Sequence, residues 1–431
     1  MKNFLLSILV LLFLITGLNA ETFSTALSKA YKNNSELNAE RENINISEQE
    51  LRISQGNYLP TLTLSGSKSR EDTDKLTNQS GGNATINDVD PSTKSLLVQQ
   101  TLIDFGRGAE LSKSKIGINL AKAKLLKKEQ DILYKTTEAY TGLILANEKQ
   151  KINRDNVELL SRQVETDRIR VERGQITLSD VSQSESSLAG AQAQLIQAEN
   201  ELLTSKLNYE NIIGLLDDPK SLNKDSINEY PLPESLNSAI ELSKKNNPDL
   251  IIAKLEYEQA KKDNIIAKSD LAPTANLSLE RSYADDLSST IDEREKDTIK
   301  ATLSWSFYSG GKNIASLRKN KSVETRTLLI LDSVSKQNQT NVASAWSNYQ
   351  SNKSLLNSVQ VQVRASEFAN EGITAEYNSG AGRTTLEVIQ SNSLLLNAQI
   401  SLADSERSFI ISQFNLLKSI GLLSSNYLKI Q

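Results

Sequence analysis

The chain has 431 residues with neither cysteine nor histidine, and 49 Lys and Arg against 53 Asp and Glu give a net charge of −4. This composition excludes disulfides, thiolate or imidazole metal sites, imidazole catalysis and a lipid-carrying cysteine, and its interspersed charges carry no nucleic-acid signal. Hydrophobic residues make up 38% and aromatics only 5%, which suits long helices with narrow seams better than a thick core. No Gly-rich phosphate loop and no Gly-x-Ser-x-Gly elbow occurs, so an enzyme is disfavoured and no cofactor is expected.

Residues 1–20 read as a secretory signal: Lys2 supplies the positive start, residues 4–15 the apolar stretch, and Leu18-Asn19-Ala20 a cleavage site before Glu21. The apolar run is shorter than the ~20 residues of a spanning helix, and no later stretch approaches that length. The remainder repeats itself. Lys32-Asn33-Asn34-Ser35-Glu36-Leu37 returns as Lys245-Asn246-Asn247-Pro248-Asp249-Leu250, Ala139-Tyr140 as Ala345-Trp346, Gly174 as Gly380 and Gly214 as Gly421. Such duplication points to a unit arrayed around an axis. The first repeat is placed at 21–216, the connector at 217–232, the second repeat at 233–423 and a tail at 424–431.

Each repeat is expected to run helix, helix, strand, strand, very long helix, turn, helix. The β-hairpins fall at about 58–106 and 271–309. In the second, Ile299, Ala301, Leu303, Trp305 and Phe307 alternate with Lys300, Thr302, Ser304 and Ser306, and Leu277 and Leu279 alternate with Asn276, Ser278 and Glu280. Leu62 and Leu64 do the same in the first hairpin, and Leu96, Val98, Gln100 and Leu102 form a weaker strand. The connections 68–94 and 281–296 are expected as polar loops.

Two soluble hairpins would satisfy this alternation, and so would strands with lipid on one face and water on the other. Trp305, Phe307, Tyr308 and Phe105 at the strand ends match an aromatic girdle, which favours lipid. Four strands cannot close a membrane barrel, which takes at least about eight, and open edges are not tolerated in lipid. On this reading the chain must associate with copies of itself.

Proline-free helices follow at about 109–173 and 313–377, each ~100 Å long at ~1.5 Å per residue. Gly174 and Gly380 stop them, and return helices follow at 179–213 and 385–420. Their Ala- and Ser-rich seams suit a hollow helical tube or an ordinary coiled coil. Asp180 and Glu387 fall at equivalent positions after the two turns, where the helix dipole favours a carboxylate.

The chain resembles the TolC-like outer-membrane efflux proteins. The matching residues are Ala26-Leu27 with Asn33-Asn34-Ser35-Glu36-Leu37, Asn246-Asn247-Pro248-Asp249-Leu250, Tyr58-Leu59-Pro60, Leu102-Ile103-Asp104-Phe105-Gly106-Arg107, Phe307-Tyr308-Ser309-Gly310-Gly311, and Gly382-Arg383-Thr384-Thr385-Leu386-Glu387-Val388. The resemblance covers nearly the whole chain after residue 20. It implies a mainly α fold whose four strands per chain join a homotrimeric, twelve-stranded barrel in the outer membrane, with long helical hairpins forming an α-barrel in the periplasm. The implied partners are two further copies, a periplasmic adaptor, an inner-membrane transporter and outer-membrane lipid, in drug efflux or type I secretion.

The resemblance also implies a gate linking Arg383 with Ser179, Asp180 and Tyr377, and an aperture at Glu387 and Gln390. The family usually has acids at both aperture positions, so Gln390 halves the ring charge. A threefold ring of Glu387 carboxylates would raise one another's pKa. Adaptor-contacting tips fall at Arg173-Gly174-Gln175 and Ser379-Gly380-Ala381, more polar than the family's usual tips. The alternative is a periplasmic coiled-coil stalk or adhesin-like protein that transports nothing. Such a stalk has no need for lipid-facing Ile299, Leu303 and Trp305.

Overall fold

The computed structural model describes residues 21–72, 80–82, 88–216, 222, 224–227, 230–288, 291–380 and 382–430. The expected signal at 1–20 and Ala381 lie outside them, as does half of the connector. In chain order the elements are α1 (Phe23–Asn33), α2 (Ser35–Gly56), β1 (Thr61–Lys68), β2 (Ser92–Ile103), α3 (Arg107–Glu172), α4 (Leu178–Ile212), α5 (Leu236–Asn246), α6 (Pro248–Ser269), β3 (Thr274–Ser288), β4 (Ile291–Ser304), α7 (Lys312–Ser379) and α8 (Thr385–Ser419). The long helices α3 and α7 have 66 and 68 residues, and their return helices have 35 each.

The duplication is visible in backbone geometry. Asn34, between α1 and α2, and Asn247, between α5 and α6, share φ −66° and ψ 121°. Each side-chain oxygen then accepts an amide of the next helix: Leu37 N at 3.0 Å from Asn34 Oδ1, and Asp249 N at 2.9 Å from Asn247 Oδ1. An Asn side chain that caps the following helix explains why this residue recurs in both copies. The chain nevertheless divides into compact units that cut across the repeats, one taking 42–123 and 252–333 and the other the rest.

The first unit holds one antiparallel sheet in the order β1-β2-β3-β4. Leu62 pairs with Val98, Val98 with Leu279, and Leu279 with Ile299. Paired residues share a face, so these four make one apolar row across the sheet. On the same face Leu64 pairs with Leu96, Leu277 with Ala301, and Ala275 with Leu303. Leu62, Leu64, Ile299 and Leu303 are all exposed, Leu64 at 81%. Thr61, Thr63, Gln99, Ser278, Lys300 and Thr302 lie on the opposite face.

The expected charged loop at 281–296 is instead a continuation of the hairpin. Arg281 pairs with Asp297, Tyr283 with Glu295 and Asp285 with Glu293. Charged alternation lacks the apolar signal of a strand, but backbone pairing in water needs no apolar side chains. β4 stops at Ser304, so Trp305 and Phe307 follow the strand. Trp305 Nε1 donates to Leu271 O at 3.0 Å, and the two rings meet edge-on at 6.0 Å. Phe307 remains 87% exposed.

In the other unit the larger core gathers Phe23, Leu27, Leu133, Tyr140, Tyr209, Phe414, Leu417 and Leu423. Phe23 meets Tyr140 edge-on at 5.2 Å and Phe414 at 5.4 Å. Each such side chain stabilises the fold by roughly 1.5–3 kcal/mol. Lys224, in the short 3-10 turn Lys224–Ser226 of the connector, is tied to Glu148 at 3.2 Å and to Glu406.

Candidate functional site

Both long helices end in glycine because the chain must enter left-handed backbone there: φ is 69° at Gly174 and 77° at Gly380. Gln175 N closes the first turn on Arg170 O at 2.9 Å. Thr177 then caps α4 and Thr384 caps α8, at φ/ψ of −90°/162° and −92°/155°. Each forms a capping box, with the Asp180 and Glu387 carboxylates accepting a hydrogen bond of 2.8 Å from the cap amide.

A buried polar network lies beside these turns. Asp167 of α3 is fully buried and accepts three hydrogen bonds: from Ser184 Oγ of α4 at 2.6 Å, Gln163 Nε2 at 2.9 Å and the Tyr377 hydroxyl of α7 at 2.8 Å. Tyr377 Oη also lies 3.0 Å from Thr385 Oγ1 of α8. The Arg170 guanidinium stacks 4.2 Å from the centre of the Tyr377 ring, and its Nη2 is 3.4 Å from Tyr377 O. One cluster thus ties all four long helices. Burial, helped by the Asp167 carboxylate, pushes the Tyr377 phenol up while the Thr385 hydroxyl opposes the shift. The phenol therefore stays a donor at neutral pH.

Arg383 forms a second, exposed tie, with Nε 2.6 Å from Glu376 and Nη1 3.0 Å from Glu387. Hydrogen bonds to both acids raise its pKa further, Glu376 contributing most. Within one chain Arg383 is not brought to Ser179 or Asp180. The Asp180 carboxylate is occupied by Thr177 N and Oγ1, both at 2.8 Å, and Ser179 is exposed. The Thr384 amide, then Arg383, hold the Glu387 carboxyl below its usual range.

Gln390 is exposed. Arg173, Gly174, Gln175, Ser379 and Gly380 are exposed at the turns, with Ser379 Oγ bonded to Glu376 O at 2.9 Å. Sequence reading missed Asp167, Ser184 and Thr385. A signal for Asp167 was present, since it continues the buried stripe of Asn153, Leu160 and Val164 at helical spacing.

The profile of the outer membrane efflux protein family matches residues 26–215 and again 239–422. The chain belongs to the outer membrane efflux protein family. It is 26% identical over 414 residues to the outer membrane efflux protein BepC of Brucella suis, covering 96% of this chain and 88% of that one. It is 21% identical over 346 residues to outer membrane protein TolC of Escherichia coli, covering 77% and 70%. The open-state MtrE outer membrane channel of Neisseria gonorrhoeae has the same fold, with a TM-score of 0.80, 18% identity and coverage of 94% and 90%. The chain is accordingly an outer-membrane efflux or secretion channel protein of TolC-like fold, from a class of passive ducts rather than enzymes.

Proposed function

We propose that three copies of this chain form the exit duct of an efflux pump or type I secretion system, gated where the long helices turn. The observation that carries this reading is the apolar row Leu62–Val98–Leu279–Ile299, exposed at Leu62, Leu279 and Ile299, on a sheet with two open ends. Lipid tolerates that row and does not tolerate open edges. Joining three four-stranded sheets supplies twelve strands and leaves no edge. The helices then form a tube in the periplasm, and the turns 173–175 and 379–381 present its tip to an adaptor and, through it, to an inner-membrane transporter.

The gate combines the buried Asp167–Tyr377–Thr385 cluster with Arg383, Ser179, Asp180, Glu387 and Gln390 at the mouth. The exposed Arg383 fork can exchange Glu376 and Glu387 for the Asp180 of a neighbouring protomer. Charge-assisted bonds of this kind hold a closed state that remains releasable. Membrane fractionation with native mass measurement tests the duct. A heat-sensitive trimer in the outer membrane is expected, and a soluble monomer would refute it.

A further inference from the structure

The hairpin β3–β4 separates charge by face. Within its regular rungs, from Asp285 with Glu293 to Thr274 with Ser304, β4 places Glu293, Glu295 and Asp297 on the face of Ile299 and Leu303. The intervening Arg294, Lys296 and Lys300 take the opposite face. β3 adds one charge to that face, Glu280, and within their rungs β1 and β2 add no ionisable residue. Beyond a register shift the strands pair once more, Ser288 with Ile291, and Asp292 alternates onto the face of Arg294. Three cations therefore stand against two carboxylates, Glu280 and Asp292. The ion pairs of Arg281 with Glu295 at 3.8 Å and Asp297 at 3.9 Å belong to the other face. Arg294, Lys296 and Lys300 are all exposed.

We infer that the barrel concentrates anions, and that Lys296 and Lys300, with Arg294, bias the duct toward anionic cargo. This rests on the duct reading: if lipid covers the apolar row, the basic face lines the pore. Twelve strands spaced ~4.8 Å apart and tilted ~40° close at a backbone radius of about 12 Å. The Debye length is about 10 Å at 0.1 M salt, so these charges act across the opening, whereas about 3 Å at 1 M confines them to the wall. A one-signed lining with low-dielectric walls raises local counter-ion concentration by roughly 10- to 1,000-fold. Lysines can also guard an open sheet edge, but that role does not require acids on one face and bases on the other.

The test uses the full protein in planar bilayers at about 0.1 M KCl, with inorganic triphosphate added from the barrel side as the anionic probe. Triphosphate is expected to reduce the wild-type current. The pair Lys296→Gln and Lys300→Gln should weaken that block by roughly tenfold and shift the reversal potential in a KCl gradient toward cations. The pair Glu293→Gln and Glu295→Gln, on the other face, should change neither. Equal block in wild type and the lysine variant, or an equal effect of the two pairs, overturns the inference while leaving a working duct. Absence of any conductance in the wild type overturns the duct reading and the inference with it.

Discussion

At the first turn Thr177 and Asp180 close a capping box beside Gly174, and at the second Thr384 and Glu387 do so beside Gly380. Around these matching caps the two copies diverge. With the glycines aligned, Tyr377 corresponds to Val171, Asp167 to Ile373 and Arg170 to Glu376; after the extra residue of the second turn, Thr385 corresponds to Leu178 and Arg383 to Ile176. The helix-stopping chemistry is duplicated, whereas the residues that tie the helices together are not. Each repeat needs its own caps, but an Asp–Tyr bond needs one partner from each repeat. Asymmetry between the copies thus marks the candidate gate better than similarity does.

The largest effect should separate another matched pair, Gly214 and Gly421, which are both at positive φ. A Cβ on Gly421 would come within 2.3 Å of the Asn246 backbone carbonyl, while on Gly214 it would meet the flexible end of Lys29 at 3.2 Å. Gly421→Ala is expected to lose about 4 kcal/mol and Gly214→Ala about 1–2 kcal/mol in denaturant unfolding. Equal losses would show that the two ends are packed alike.

Next in size is Tyr377→Val, which copies the first turn into the second. It removes a donor from buried Asp167 and should cost about 2 kcal/mol. It should also raise single-channel conductance, as should Arg383→Ala at smaller stability cost; unchanged conductance in both would remove the gate. Thr177→Ala and Thr384→Ala should each cost about 1 kcal/mol, and a clear difference between them would mean that one cap carries more than helix-stop chemistry. The smallest effect is acid sensitivity. Asp180 and Glu387 are held below their ordinary values of 3.8 and 4.5. They stabilise the fold above those values and lose that contribution as pH falls through the lower folded ones. Asp180→Asn with Glu387→Gln should therefore flatten thermal stability against pH below about 4.5.

The long helices were legible because they lack proline and end in glycine, and the strands because apolar side chains recur at every second residue. Two features were misread for opposite reasons. The 281–296 segment carries charges on both faces, which reads as loop although residues 281–285 pair with 293–297. Asp167 is one charge among many in its helix, and only its place on the Leu160–Val164 stripe distinguishes it.

The sequence alone determined what depends on neighbours a few residues away: the asparagine and threonine caps, the glycine stops, the period of each strand and the duplication. Tertiary structure decided which faces coincide. The Asp167–Tyr377 bond joins residues 210 positions apart, and the charge separation of β4 has a direction only once Ile299 is set beside Leu279. Local capping energies act along the chain and can be read there. Long-range bonds depend on burial and register, which exist only after the helices and strands have packed.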